Sequence, residues 1–144
     1  MNKKQWTKLA EEKSNHYLNL GNGGYDEHTK GFFKSCDYDE LCVTYGFQTQ
    51  DWQINERGEI HGGVIAGMLD TTMGTVANFT AGENESTTVD LMVSFMRVLK
   101  LGQEVEVKVY IVKAGRRAIR IRGEMYELES GKLIATGVGT WMPL

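Results

Sequence analysis

The sequence predicts an α+β domain in which one long helix packs against antiparallel strands. Three features carry this reading: a helical-period apolar segment from residue 62 to about 79, an alternating segment before it, and four alternating segments after it. At 144 residues the chain is long enough to bury one hydrophobic core and too short for a cofactor domain plus a substrate domain. A hydrophobic fraction of 41% beside 24% charge is ordinary globular composition, and the single proline, Pro143, leaves no room for a proline-rich linker.

In chain order, residues 3 to 20 place Trp6, Leu9, Ala10, Tyr17 and Leu20 at roughly helical intervals, as in an amphipathic helix lying on a surface. The run Gly21-Asn22-Gly23-Gly24 ends it. From Glu40 to Gln48 the period becomes two, with Leu41, Val43, Tyr45 and Phe47 on one side, which predicts a strand. A polar connection from Gln50 to Glu59 leads to His61-Gly62-Gly63 and the long helix, whose Val64, Ile65, Met68, Leu69, Met73, Val76 and Ala77 recur at three- and four-residue steps. After the turn-rich Ala81 to Glu85 only strand patterns follow: Val89 to Phe95, Val105 to Ile111, Ile119 to Met125 and Leu133 to Trp141. Breaks at Leu101-Gly102, Ala114-Gly115 and Ser130-Gly131 are short enough for hairpins and predict a four-strand meander.

A formal charge of −3 argues against phosphate-backbone binding and so against nucleic acid as a partner. No run reaches the 18 or so apolar residues of a membrane span, and the lysines near the N-terminus have no apolar segment behind them, so a cytoplasmic protein is expected. Cys36 and Cys42 lack the spacing of a metal or redox pair and read as plain structural thiols. His16, His28 and His61 are scattered and no nucleotide-binding loop is present, so neither a metal nor an organic cofactor is expected.

The long helix has two faces. Gly63, Gly67, Asp70 and Gly74 fall within about 60° of one another, opposite the apolar stripe. Interior glycines cost a helix about 0.5 to 1 kcal/mol each relative to alanine, so something must come close to that face. Two readings fit: close packing through small residues with Asp70 merely solvated, or a ligand or second subunit lying along the face with Asp70 aimed at it. His61-Gly62-Gly63 favours the second, because a glycine pair at a helix N-terminus leaves backbone N–H groups unshielded at the positive end of the dipole, where a developing oxyanion can be held.

His61-Gly62-Gly63, Asp70 seven residues later and then Gly74 resemble the signature of hotdog-fold acyl-CoA thioesterases of the phenylacetic-acid-degradation (PaaI-like) type. Thr88-Val89-Asp90, Ser94-Phe95-Met96-Arg97 and the run Ser130 to Gly137 look like the strands that follow the helix in that family. The likeness covers roughly residues 40 to 144. It implies a hotdog fold, a long central helix wrapped by a five- or six-stranded antiparallel sheet, over residues 36–144, preceded by an N-terminal helix and connecting segment over 1–35.

The resemblance also implies roles. Asp70 holds the position of the helix carboxylate that acts as base or nucleophile, and Gly62 that of the glycine whose N–H polarises the thioester carbonyl. Asn55, six residues before the histidine, matches the asparagine that positions the water or leaving group; Thr88 matches a hydroxyl residue that bonds the attacking water, with Thr87 and Ser86 beside it. His61 is expected to orient the loop and helix start, with a plain structural histidine the other reading, and Gly63 is expected to contribute to substrate binding. Family members form dimers, often paired into tetramers, whose sites draw on both subunits. They bind CoA through basic residues near the sheet edge, for which Arg116 and Arg117 are the local candidates; a solvated hairpin tip is their other reading. Arg120 and Arg122 alternate with Ile119 and Ile121 and read as the solvent face of a strand. Trp6, Tyr17, Tyr25, Phe32 and Phe33 either cover an acyl pocket or seal a sheet edge.

The function expected is hydrolysis of acyl-CoA to free acid and CoA. Two rivals are a non-catalytic acyl-CoA-binding regulator and a hotdog-fold acyl hydratase or dehydratase. The acyl group is left open, since Met68, Met92 and Met96 suit a chain or an aryl ring equally.

Overall fold

In the computed structural model, which describes Met1–Leu144, the helix α3 spans Gly62–Ala81 and buries Val64, Ile65, Met68, Leu69, Met73, Val76 and Ala77 against one sheet. That sheet is antiparallel throughout and six-stranded: β1 (Phe32–Asp37), β2 (Cys42–Gln48), β3 (Ser86–Phe95), β4 (Glu104–Ala114), β5 (Ile119–Glu127) and β6 (Leu133–Pro143) lie in the order β1-β2-β4-β5-β6-β3. The inward residues Val105, Val107, Val109, Ile119, Ile121, Met125 and Trp141 alternate with outward polar ones and meet α3. Where the helix crosses β5 and β6, Gly123 and Gly137 face it, and a Cβ on either would stand 3.0 or 3.1 Å from the Met73 sulfur. Small residues there let the sheet curl close around α3, which is the hotdog arrangement.

The last four strands do not form a meander. β4, β5 and β6 do, but β3 pairs with β6 on the far side, three strand positions from β4. The eight residues between β3 and β4 are therefore a crossing. They are tied below the start of α3, where Leu99 is buried, its carbonyl accepts the Ile60 N–H at 2.9 Å, and Lys100 bridges Glu59. The Leu101-Gly102 turn is real, but it opens β4 and closes no hairpin.

β1 escaped the sequence reading, and the expected boundary after residue 35 lies inside it. A bulge at Lys34 explains why: it shifts the register so that Phe33 and Cys36, three residues apart, both turn toward the core, and the period of two is lost.

Helix α1 (Lys3–Leu18) begins with a reciprocal Asn2–Gln5 capping box. Its buried stripe is Trp6, Ala10, Ser14 and Leu18, so Tyr17 and Leu20 lie off it. Ser14 belongs to the stripe because its hydroxyl meets the fully buried Tyr45 hydroxyl at 2.7 Å, satisfying both. Trp6 sets its ring edge-on to Tyr38 and Phe79, tying α1 to the end of α3. A short helix α2 (Tyr25–Thr29) then brings the chain back across α3 before β1.

Candidate active site

The face of α3 turned away from the sheet floors a cleft of about 700 Å³. Gly63, Gly67, Asp70 and Gly74 all border it, the face read from the sequence. The end of α1 and α2 wall one side, and the start of β3 with Trp141 walls the other. The glycines of this face differ in what stands in front of them. At Gly67 a Cβ would overlap the Tyr25 ring, 2.6 Å from its Cζ, so close packing accounts for that glycine. At Gly74 the nearest atom is the Trp141 Nε1 at 3.6 Å, and the space in front of it is the cleft.

Asp70 is exposed to this cleft and receives a hydrogen bond at 3.2 Å from the Thr88 hydroxyl to its Oδ1. Neighbouring protein crowds the carboxyl, and this loss of water is the main cause that lifts its pKa above the ordinary carboxylate value. The Thr88 hydrogen bond works against the rise, and the negative charge of Asp26 adds to it. Of the three hydroxyl residues at the start of β3, Thr88 is the one on Asp70. Ser86 instead gives its hydroxyl to Asn78 Oδ1 at 2.9 Å.

Asn55 and Gly62 lie elsewhere, in a second cleft of about 340 Å³ beside Phe95, Met96 and Val98. His61 caps α3: its Nδ1 accepts the Gly63 N–H at 2.8 Å, which requires the neutral Nε2–H tautomer, and its own N–H donates to the Gln53 carbonyl at 2.8 Å. The glycine pair thus offers one free donor where the sequence suggested two. The Gly63 N–H is committed to the cap, whereas the Gly62 N–H has no acceptor in the chain. Asn55 uses its Oδ1 to accept the N–H groups of Arg57 and Glu59, at 2.9 and 3.1 Å, shaping the turn that leads into His61.

One chain therefore brings Asp70 together with Thr88, and Asn55 together with Gly62, but it does not join the pairs. Asp70 stands eight residue steps along the helix from Gly62, about 12 Å along the axis, too far for both to touch one carbonyl. Arg116 and Arg117 form a third locus at the exposed β4–β5 tip, with Lys113 and Arg120 around a concavity of about 590 Å³, and neither has an ion-pair partner in the chain. The register Ile119–Trp141–Thr88 sets that tip at the same end of the sheet as Thr88. Arg120 and Arg122 are exposed on the outer face, as read; Arg122 stacks on Tyr110.

Sequence reasoning missed Asp26 and the exact place of Tyr25. Asp26 Oδ1 accepts the Thr71 hydroxyl at 2.7 Å, next along α3 from Asp70, and the Tyr25 hydroxyl donates to the Val64 carbonyl at 3.3 Å. The signal available for a helix here was the turn run Gly21 to Gly24 followed by Asp26 and Glu27, an acidic first helical turn.

Comparison with known proteins bears on the fold and the family. Mouse acyl-coenzyme A thioesterase 13 is 26% identical over 90 residues, 62% of this chain and 64% of the mouse protein. The chain spans 54% to 64% of the length of the relatives it matches. The Escherichia coli PaaI protein of the phenylacetic acid degradation operon superposes with a TM-score of 0.81 at 15% identity, covering 96% of this chain and 95% of that one. Zebrafish thioesterase superfamily member 2 gives 0.80 at 19%, covering 96% and 98%. A Streptococcus mutans protein solved with bound acetyl CoA gives 0.69 at 20%, covering 78% and 88%. These structures share the fold. The sequence model of the thioesterase superfamily matches residues 57–134, more than half of the chain and the stretch that carries Gly62, Asp70 and Thr88, and the chain belongs to that superfamily.

Proposed function

We propose that the protein hydrolyses acyl-CoA thioesters to free acid and CoA at sites shared between two copies of the chain. The observation that carries this is the separation of the two half-sites: an unpartnered Gly62 N–H with Asn55 in one cleft, and Asp70 with Thr88 in another. A second copy supplies what each cleft lacks. The edge for it is β3, which ends the sheet and leaves Val89, Met92 and Phe95 59%, 64% and 54% exposed. The sequence pattern sets Val89 and Phe95 on one side of the strand with Leu91 and Val93. A bulge between Thr88 and Asp90 throws Val89 outward, and Phe95 closes the Gly62 cleft with its ring 3.5 Å from where a Gly62 Cβ would be. A dimer, or a tetramer built from two, is the assembly this surface suits.

In the shared site the Gly62 N–H holds the carbonyl oxygen as it gains negative charge. Asp70 of the other copy either takes a proton from a water that Asn55 and Thr88 help to place, or attacks the carbonyl carbon to give an anhydride that water opens. Either way one water is consumed, the carbon–sulfur bond breaks, the acyl group leaves as the free acid, and the departing thiolate takes up the proton that the water gave up and leaves as CoA. His61 is a positioning residue that fixes the start of α3, with Gly63 as its capped partner and part of the substrate floor. Arg116 and Arg117 hold CoA phosphates at the tip. No helix is long and apolar enough to cross a membrane, and the free thiols of Cys36 and Cys42 suit the reducing cytoplasm in which we place the reaction.

The test is thiol release from a panel of acyl-CoAs by the wild type and by Asp70→Asn, with solution mass measured alongside. We expect hydrolysis by a dimer or tetramer and a loss of at least about a hundredfold in kcat for the variant, since an amide neither accepts the proton nor attacks. Acyl-CoA binding without thiol release by the wild type would make the protein a regulator, and a monomer at micromolar concentration would remove the shared site.

A further inference from the structure

The aromatic residues of the N-terminal segment acquire a specific place beside Asp70. α3 sets Gly67 one turn before Asp70 and Gly74 one turn after it. The Gly74 end lies by Trp141, which pairs with Ile119 next to the basic β4–β5 tip. A thioester whose carbonyl is at Asp70 and whose CoA runs toward that tip points its acyl group the other way, toward Gly67 and Tyr25. Resting on the proposed thioesterase reading, we infer that Tyr25 is the specificity-determining wall of the acyl site, a stop that limits the length of the acyl group.

Four observations make Tyr25 a fixed wall. Its ring fills the notch left by Gly67, which any larger residue would close. Its hydroxyl is held by the Val64 carbonyl at 3.3 Å. α2 behind it is pinned, because Asp26 takes the Thr71 hydroxyl and the Gln50 side-chain amide donates to the carbonyls of His28 and Thr29, at 2.9 and 3.1 Å. Finally, Tyr25 borders both the Asp70 cleft and a smaller adjoining space of about 90 Å³, which shares Tyr17 and Leu20 with the cleft and extends to Asn22 and Gly24. Removing the ring joins the two and lengthens the site toward α1. With the ring in place the site takes short or compact acyl groups.

The experiment compares kcat/KM for straight-chain acyl-CoAs from acetyl to dodecanoyl in the wild type, Tyr25→Phe, Tyr25→Ala and Tyr25→Leu, the last in case the alanine variant fails to fold. Dissociation constants for non-hydrolysable thioether analogues of the same lengths are measured in parallel. The expected result is a rise of about tenfold or more in the long-to-short ratio for the Ala and Leu variants, with the ratio kept by Phe, which retains the ring. Gly67→Ala should produce the same shift by displacing the ring, and should add nothing in the Tyr25→Ala background. Unchanged chain-length preference in the Ala and Leu variants, in both turnover and analogue binding, overturns the inference. Failure of the catalytic reading is separate: if Asp70→Asn hydrolyses at the wild-type rate the role of Asp70 is lost, while the analogue series still decides Tyr25. If no acyl-CoA or analogue binds, both are wrong.

Discussion

Asp70 carries opposing influences that single substitutions can separate. Crowding and the charge of Asp26 raise its pKa, and the Thr88 hydroxyl lowers it. A base must be ionised to act, so kcat/KM should fall with decreasing pH through a limb lying above the ordinary carboxylate value. Asp26→Asn keeps an oxygen for Thr71 but removes the charge, and should move that limb to lower pH. Thr88→Val removes the donor and should move it up; two pH–rate profiles decide, and a limb that neither change moves would belong to another group. Stability follows the same sign. A carboxyl whose pKa is raised on folding is most favourable when protonated, so its contribution fades as pH rises through the folded value. At neutral pH Asp70→Asn should therefore unfold no lower than wild type, and any advantage should vanish in acid. At Asn55 the Oδ1 shapes a turn, whereas no partner engages its NH2 group. Asn55→Asp keeps the acceptor and drops the donor, so a kcat loss of about ten- to a hundredfold with an unchanged melting temperature would assign the chemistry to the NH2 group. In the sequence, Asp70 stands out on a helix face and Gly62 in a short motif, whereas Asn55 and Thr88 enter only through the family resemblance. Asp26 was not legible, since its partner Thr71 lies 45 residues away and nothing local marks the pairing.

Elements were legible where their period was intact. α3 came out with its buried stripe and its glycine face because twenty residues keep one helical phase, and β2, β5, the β4 run from Val105 to Ile111 and the β6 run from Ala135 to Trp141 did so by alternation. The failures fall at bulges and crossings. Lys34 breaks the alternation of β1, Val89 breaks that of β3, and the β3–β4 connection resembles a hairpin turn while carrying the chain past two strands. Pairing order is a property of the whole sheet that strand patterns do not encode. The exposed edge of β3 yields a prediction at this scale. Met92 lies near the middle of the strand on its exposed side, so a two-fold pairing along β3 brings the two copies of residue 92 close together. Met92→Lys places like charges there, which are destabilising across an antiparallel pair. Sedimentation should show a shift toward monomer, and thiol release should fall in step with the dimer fraction. Full activity from a monomeric variant would mean that each chain has a complete site of its own.

Across the whole molecule, charge is distributed against its average. The chain is net negative, yet Lys113, Arg116, Arg117 and Arg120 gather at one end, with Asp90 3.9 Å from Arg120 as the one acidic group close by. The sequence located the two adjacent arginines but left open whether they were a solvated tip, because strand pairing decides what a hairpin tip stands next to. The register through Ile119, Trp141 and Thr88 places Ile119, two residues past Arg117, two strands from the residue that bonds Asp70, a separation of about 10 Å, so the tip just beyond it is within the reach of a pantetheine arm with phosphates at its far end. Unpaired arginines on a surface lose little on binding phosphate, since no ion pair has to be broken first. Replacing Arg116 and Arg117 together with alanine should therefore raise KM for acyl-CoA while leaving kcat nearly unchanged, because the lost contact is equally strong in the ground and transition states. Acyl-pantetheine thioesters, which lack the nucleotide phosphates, should be hydrolysed by the double variant as by the wild type. The KM for acyl-CoA should also rise with salt in the wild type and lose much of that dependence in the variant. Equal losses on both substrates, or a salt dependence that survives the double substitution, would assign CoA recognition to another surface and return the tip to solvent.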